Sequence, residues 1–201
     1  LESDDFFTAH PNLVFSSEAL FWELANKPKY VALLSERFNL EVVLYLRDVI
    51  EHSVSGWGQY IKRGGGCEDL NTFLVTHENK ILGYVLKWIK LSEEIGFQLT
   101  LRNYSKCKSS LEQDFFSNVL KVPELIDDLI LPSNVVNRSL SLHELEIQRV
   151  FNAAFGKASA RYVSDFLCNT YPNVDPWKPT LYEHTYDHIY SKNIKALDAI
   201  N

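Results

Sequence analysis

Apolar positions along the chain change their period several times, and each change marks an element. Asn12 to Ser16 (NLVFS) is a short apolar run that predicts a first buried strand, leading into a helix-start signal at Ser16-Ser17-Glu18. Tyr30 to Phe38 reads as a helix and Leu40 to Leu46 as a second strand, followed almost without a loop by a helix over Asp48 to Lys62. Gly64-Gly65-Gly66 ends that helix, because three glycines lose too much backbone freedom to continue one. Ile81, Val85, Trp88 and Ile89 recur at helical spacing across 81–94. Gly96 then releases the chain into 97–102, whose alternation suits a third strand.

Two short helical patterns follow, over 111–120 and 123–130, and no further strand is expected after Pro132. Ile147, Val150, Phe151 and Ala154 form one apolar stripe on a C-terminal helix; Tyr182, Tyr186, Ile189 and Tyr190 form another. Between them, 171–179 carries three prolines and reads as an ordered loop. Strands alternating with helices predict an α/β fold with a parallel sheet flanked by helices. One domain is expected over 1–201, with an α/β core at 12–131 and a helical extension at 132–201.

Composition narrows the function classes. Apolar residues are 46% and charged residues 23% of the 201, which is the balance of a globular chain. A formal charge of -6 argues against a nonspecific nucleic-acid binder, while leaving room for one small basic pocket. No apolar run approaches a membrane span, and no secretory signal pattern opens the sequence, so a cytoplasmic location is expected. Cys67, Cys107 and Cys168 have no metal-ligand spacing and read as free thiols. The sequence contains no methionine at all, and a longer translated product is expected.

The chemistry concentrates at the end of the second strand. Arg47 closes Val42-Val43-Leu44-Tyr45-Leu46, and Ser55 follows eight residues later, about two helical turns on. Ligands of α/β proteins sit where strand ends meet helices, and an arginine fork matches two phosphate oxygens. Plainer readings exist for each residue. Arg47 would pair with Asp48 or Glu51, Ser55 would be a surface serine, and Glu18 would serve its own helix's first turn. Trp57 and Trp88 would be core aromatics, and Arg138 a solvated loop residue.

Several motifs in order carry a family resemblance: Tyr45-Leu46-Arg47, Ser55, Trp57, Gln59 and Lys62, then Tyr84 to Phe97, then Asn137-Arg138-Ser139-Leu140-Ser141. In this order the chain resembles the sulfotransferase family, in its bacterial carbohydrate-type branch, over roughly 12–151. The resemblance implies a P-loop NTPase-like sheet. It implies transfer of a sulfuryl group from 3′-phosphoadenosine-5′-phosphosulfate to an acceptor hydroxyl, on a saccharide or another small molecule. It gives Arg47 and Ser55 the cofactor's 3′-phosphate, with Arg138 as a further contact, and needs no metal. Glu18, past the first expected strand, is the leading candidate base, and His52 the second. Gly96-Phe97 is inverted relative to the family pattern. Nothing matches the family's phosphate-binding loop, since Gly64-Gly65-Gly66 follows a helix and no Gly-Lys-Ser/Thr occurs. A missing N-terminal segment is the expected reason.

Two alternatives belong to other classes. Arg47-x4-His52 fits the pattern of HEPN ribonucleases, which are all-helical, and Arg138 and His143 repeat that spacing. A noncatalytic interaction or immunity protein would suit the acidic charge and helical tail. His184 and His188, beside Glu183 and Asp187, have helical metal-ligand spacing, but no third ligand is apparent and a solvated polar face is expected.

Overall fold

Among the described residues, strand formation is confined to two β-rich stretches. β1 (Glu41–Leu46) and β2 (Gln98–Asn103) pair as a parallel two-strand sheet flanked by helices, in a computed structural model that describes residues 12–130, 138–175 and 177–200. The architecture is α/β with helices predominating. The strand expected at Asn12 to Ser16 does not form. Leu13, Val14 and Phe15 are exposed there, and without a neighbouring ladder the extended chain runs directly into α1 (Glu18–Ala25).

The chain divides into two compact units. One comprises the described residues of Leu1–Val42 together with Gly83–Leu99. It holds α1, α2 (Pro28–Arg37) and most of α5 (Ile81–Ile95). Val31, Val85 and Trp88 are its buried centre, as the helical spacing of Val85 and Trp88 predicts. Burying an indole leaves one N–H to satisfy, and Trp88 Nε1 donates to the Phe21 carbonyl at 3.0 Å.

The other unit comprises Val43–Leu82 and Thr100–Asn201. Its core gathers α3 (Val49–Gln59), α4 (Leu70–Thr76), α8 (Leu142–Phe155), α9 (Lys157–Thr170) and α10 (Glu183–Ile200) around Trp57, Ile61, Leu74, Leu145, Leu167 and Ile189. Trp57 is a core aromatic as expected, its Nε1 donating to the Glu68 carbonyl at 3.0 Å. After α3 the chain widens into a π-helical turn, Tyr60–Gly64, and stops at Gly65. Gly65 has φ +77, and a Cβ there would lie 2.5 Å from the Lys157 Cα. That position needs glycine for both reasons.

The apolar stripe expected on α8 faces outward. Ile147 is 47% and Val150 67% exposed, while Gln148 is fully buried and Asn152 only 2% exposed. The π turn explains the inversion, because its irregular end leaves backbone carbonyls without ladder partners. Asn152 Nδ2 donates to the carbonyls of Ile61 and Gly66, both at 2.8 Å, and Ser164 Oγ donates to that of Lys62 at 3.1 Å. Polar side chains therefore belong inside at this place. The tyrosines of α10 are likewise exposed, and Thr185 and Ile189 form its buried face.

Candidate functional site

The second unit brings the carboxyl ends of β1 and β2 together with the segments that follow them. Asp48 caps α3, its Oδ1 accepting from the amides of Ile50 at 2.9 Å and Glu51 at 3.1 Å. After β2, Asn103 caps the short helix α6 (Tyr104–Cys107), accepting from the Lys106 amide at 3.1 Å. Ser105 ties the two strand ends: its Oγ accepts from the Asp48 amide at 3.3 Å and donates to Glu51 Oε2 at 3.0 Å. Lys108 adds a 3.5 Å ion pair to Glu51.

These bonds decide the state of Arg47. The two carboxylates nearest it in sequence are engaged with backbone amides, a serine and a lysine, so the plain pairing with Asp48 or Glu51 does not occur. The half-buried Arg47 guanidinium instead lies over the Tyr104 ring, 4.7 Å from its centroid. A cation–π contact holds the plane of the fork without consuming its N–H donors. Among the described residues the Arg47 fork makes no hydrogen bond or ion pair. Ser55 is exposed on α3 in the same unit.

The other expected site residues are disposed differently. Arg138 is not a solvated loop residue, and its fork is not open to a cofactor. Its Nη1 and Nη2 donate to Glu144 at 2.8 and 2.7 Å, and Nη2 also reaches the Leu167 carbonyl at 3.0 Å. Both side chains are buried, at 5% and 10% exposure. Glu144 additionally closes a capping box on α8 with Ser141, and the Arg138 fork holds its carboxyl below the usual carboxylate range. Lys62 is buried as well, donating to the Arg138 carbonyl at 3.1 Å. Asn137, the first residue of that expected motif, lies outside the described residues.

His52 packs against Asn79. Asn79 Oδ1 accepts from the Ile81 amide at 3.0 Å, which orients Nδ2 toward His52 Nδ1 at 3.1 Å. One ring nitrogen of His52 is thus engaged by the Asn79 amide. Glu18 is exposed in the first turn of α1, beside its N-cap Ser17, and belongs to the other unit. The ribonuclease pair Arg47 and His52 spans a strand end and a helix, unlike the all-helical frame that pairing expects. His184 and His188 form no group of three metal-ligating side chains, and none occurs among the described residues.

A second network, unforeseen in the sequence, lies at the end of β2. Arg102 grips Asp114 with Nε at 3.0 Å and with Nη2. Tyr45 donates to Asp114 Oδ2 at 2.8 Å and Asn118 to Oδ1 at 2.9 Å. The Arg102 fork, helped by Asn118 and Tyr45, outweighs burial and draws the Asp114 carboxyl down to about 2. Burial and the Asp114 carboxylate push the Tyr45 phenol above its ordinary value. The available signal was register: β1 and β2 are parallel neighbours, so residues at their two ends become neighbours as well.

Comparisons of the chain with protein-family models, curated proteins and solved structures gave no significant match. Among the described residues no helix is long and apolar enough to cross a membrane.

Proposed function

We propose that the chain carries the 3′-phosphate subsite of a sulfotransferase that moves a sulfuryl group from 3′-phosphoadenosine-5′-phosphosulfate to a hydroxyl, on a saccharide acceptor. One observation supports it above the rest: a half-buried guanidinium at the carboxyl end of a parallel strand, steadied by Tyr104 while its neighbouring carboxylates are bonded elsewhere. Such a fork has its bonding capacity left for an anion with paired oxygens. The frame is the P-loop NTPase-like sheet of the resemblance, of which β1 and β2 would be two strands.

Sulfuryl transfer is an in-line displacement, so holding the donor still contributes directly to rate. Arg47 binds two oxygens of the ribose phosphate, and Ser55 donates its hydroxyl to a third. These groups orient the cofactor and touch no bond that changes. The attacking hydroxyl must also give up its proton to a general base.

Calorimetric titration with adenosine 3′,5′-bisphosphate, against adenosine 5′-monophosphate as control, tests the reading. Binding is expected for the bisphosphate alone, and Arg47→Ala should weaken it by about 1.5–3 kcal/mol, the usual range for a charge-assisted hydrogen bond. Equal binding of both nucleotides, or of neither, removes the 3′-phosphate subsite. An exposed apolar stripe on α8 (Ile147, Val150, Phe151) favours the second reading, a noncatalytic interaction protein. That reading expects no nucleotide binding.

A further inference from the structure

A cavity of about 420 Å³ opens at the carboxyl end of β2, within the second unit. Its size falls in the range of small-molecule sites, about 300–1,000 Å³. The wall is about evenly polar and apolar, its polar part coming from Arg102, Asn103, Lys106, Ser110, Gln113 and Asn118, with Asp114 beneath. Apolar contributions come from Leu101 and Cys107.

At the floor the charge is balanced. Asp114 accepts from Arg102, Tyr45 and Asn118, while Arg102 Nη1 makes no hydrogen bond among the described residues. The rim is different. Asn103 uses its amide oxygen on the Lys106 amide, Gln113 its nitrogen on Ser117 and Asn118 its nitrogen on Asp114. Among the described residues, the Asn103 amide nitrogen, the Ser110 hydroxyl and the amide oxygens of Gln113 and Asn118 have no further partner. The Lys106 ammonium makes no ion pair among them either.

Donors and acceptors are thus both present at the opening, with one unneutralised positive charge. A phosphate would call for several cations and few acceptors, and an apolar ligand for a greasy wall. A ring of hydroxyls bearing one carboxylate satisfies both the dipoles and the lysine. We propose that this cavity binds a hexuronate unit of an acidic saccharide, with its carboxylate on Lys106 and its hydroxyls on Asn103, Ser110, Gln113 and Asn118. That the bound sugar is also the acceptor rests on the sulfotransferase reading.

Cys107 in the wall supplies a reporter that needs no activity. The intact chain is alkylated with iodoacetamide in the presence of D-glucuronate or D-glucose, and the rate at Cys107 is followed by peptide mass mapping. Glucuronate should slow Cys107 while the exposed Cys67 reacts unchanged. In Lys106→Ala, about tenfold more glucuronate should be needed for the same protection, the effect of one charged contact. Lys106 is exposed and its ammonium is unpaired among the described residues, so that variant keeps its fold. Equal protection by glucose overturns the charge assignment, and no protection by either sugar overturns the site. Titration with the bisphosphate is read separately. Protection at Cys107 without nucleotide binding leaves the saccharide site standing and removes only its role as acceptor site.

Discussion

Arg47 and Arg138 lie in the same compact unit, and their surroundings dispose of equal charges in opposite ways. Around Arg138 everything converges: Glu144 takes both terminal nitrogens, the Leu167 carbonyl takes one again, and α8 is capped by the same carboxylate. Around Arg47 everything diverges, since Asp48 turns to its helix amides and Glu51 to Ser105 and Lys108. A ring face is all that holds its guanidinium among the described residues. The lesson concerns capacity rather than charge. A buried pair with its terminal nitrogens committed fixes a structure, whereas a steadied fork with those nitrogens left over can bind.

The sharpest way to break this contrast is at Glu144. Removing one partner leaves the buried Arg138 charge uncompensated and opens the α8 capping box, so Glu144→Ala should cost about 3–5 kcal/mol in urea unfolding. A loss below about 1 kcal/mol would show that water replaces the carboxylate, and Arg138 would rejoin the candidates for ligand binding. Arg47→Ala is the counterpart. It should leave unfolding within about 1 kcal/mol of the parent, the lower range of a cation–π contact, while taking the larger share of bisphosphate affinity given above. A variant that loses stability instead would make Arg47 a structural residue like Arg138.

Acid titration probes another arginine of the unit, Arg102, which resembles Arg138 in being committed to a carboxylate. Asp114 is held down at about 2 in the folded chain, so it binds its proton less readily folded than unfolded. Its stabilisation is therefore complete above the unfolded value of about 3.9 and is lost as pH falls toward 2. About 1–2 kcal/mol should disappear across that window, since a tenfold difference in proton affinity between the two states is worth about 1.4 kcal/mol. Glu144, also lowered, adds to the loss with the same sign. Asp114→Asn should flatten the limb, and an unchanged slope would mean that Arg102 contributes no charge pairing there.

These contrasts also show what could be read beforehand. Strand β1, the α3 start and the amphipathic α5 followed from period and capping residues, because local sequence decides them. The placement of Arg47 at a strand end was legible for the same reason. The fate of its neighbours was not, since Ser105 and Lys108 arrive from more than fifty residues away. Arg138 looked like a loop residue because its partner sits on the next helix, where Glu144 also satisfied an ordinary capping rule. The stripe on α8 misled for a deeper reason. Hydrophobic periodicity assumes that the surface a helix covers is apolar, and here it is a row of carbonyls from the π turn and Gly66, which Asn152 and Ser164 satisfy.

The smallest predicted effect asks whether Arg47 acts alone. Ser55 lies on α3 two turns beyond the strand end and is exposed, so its hydroxyl loses water when it meets a ligand and gains only the difference. Ser55→Ala should weaken adenosine 3′,5′-bisphosphate by about 0.5–1.5 kcal/mol, the net worth of an ordinary hydrogen bond, with unfolding unchanged. Arg47→Ala/Ser55→Ala in combination carries the information. Two groups on one phosphate share it, and removing the first frees the phosphate to shift away from the second, so the double variant should lose less than the two single losses together. Strict additivity would place the hydroxyl and the guanidinium on separate parts of the ligand, and the Arg47-x7-Ser55 spacing would then describe two contacts and not one subsite.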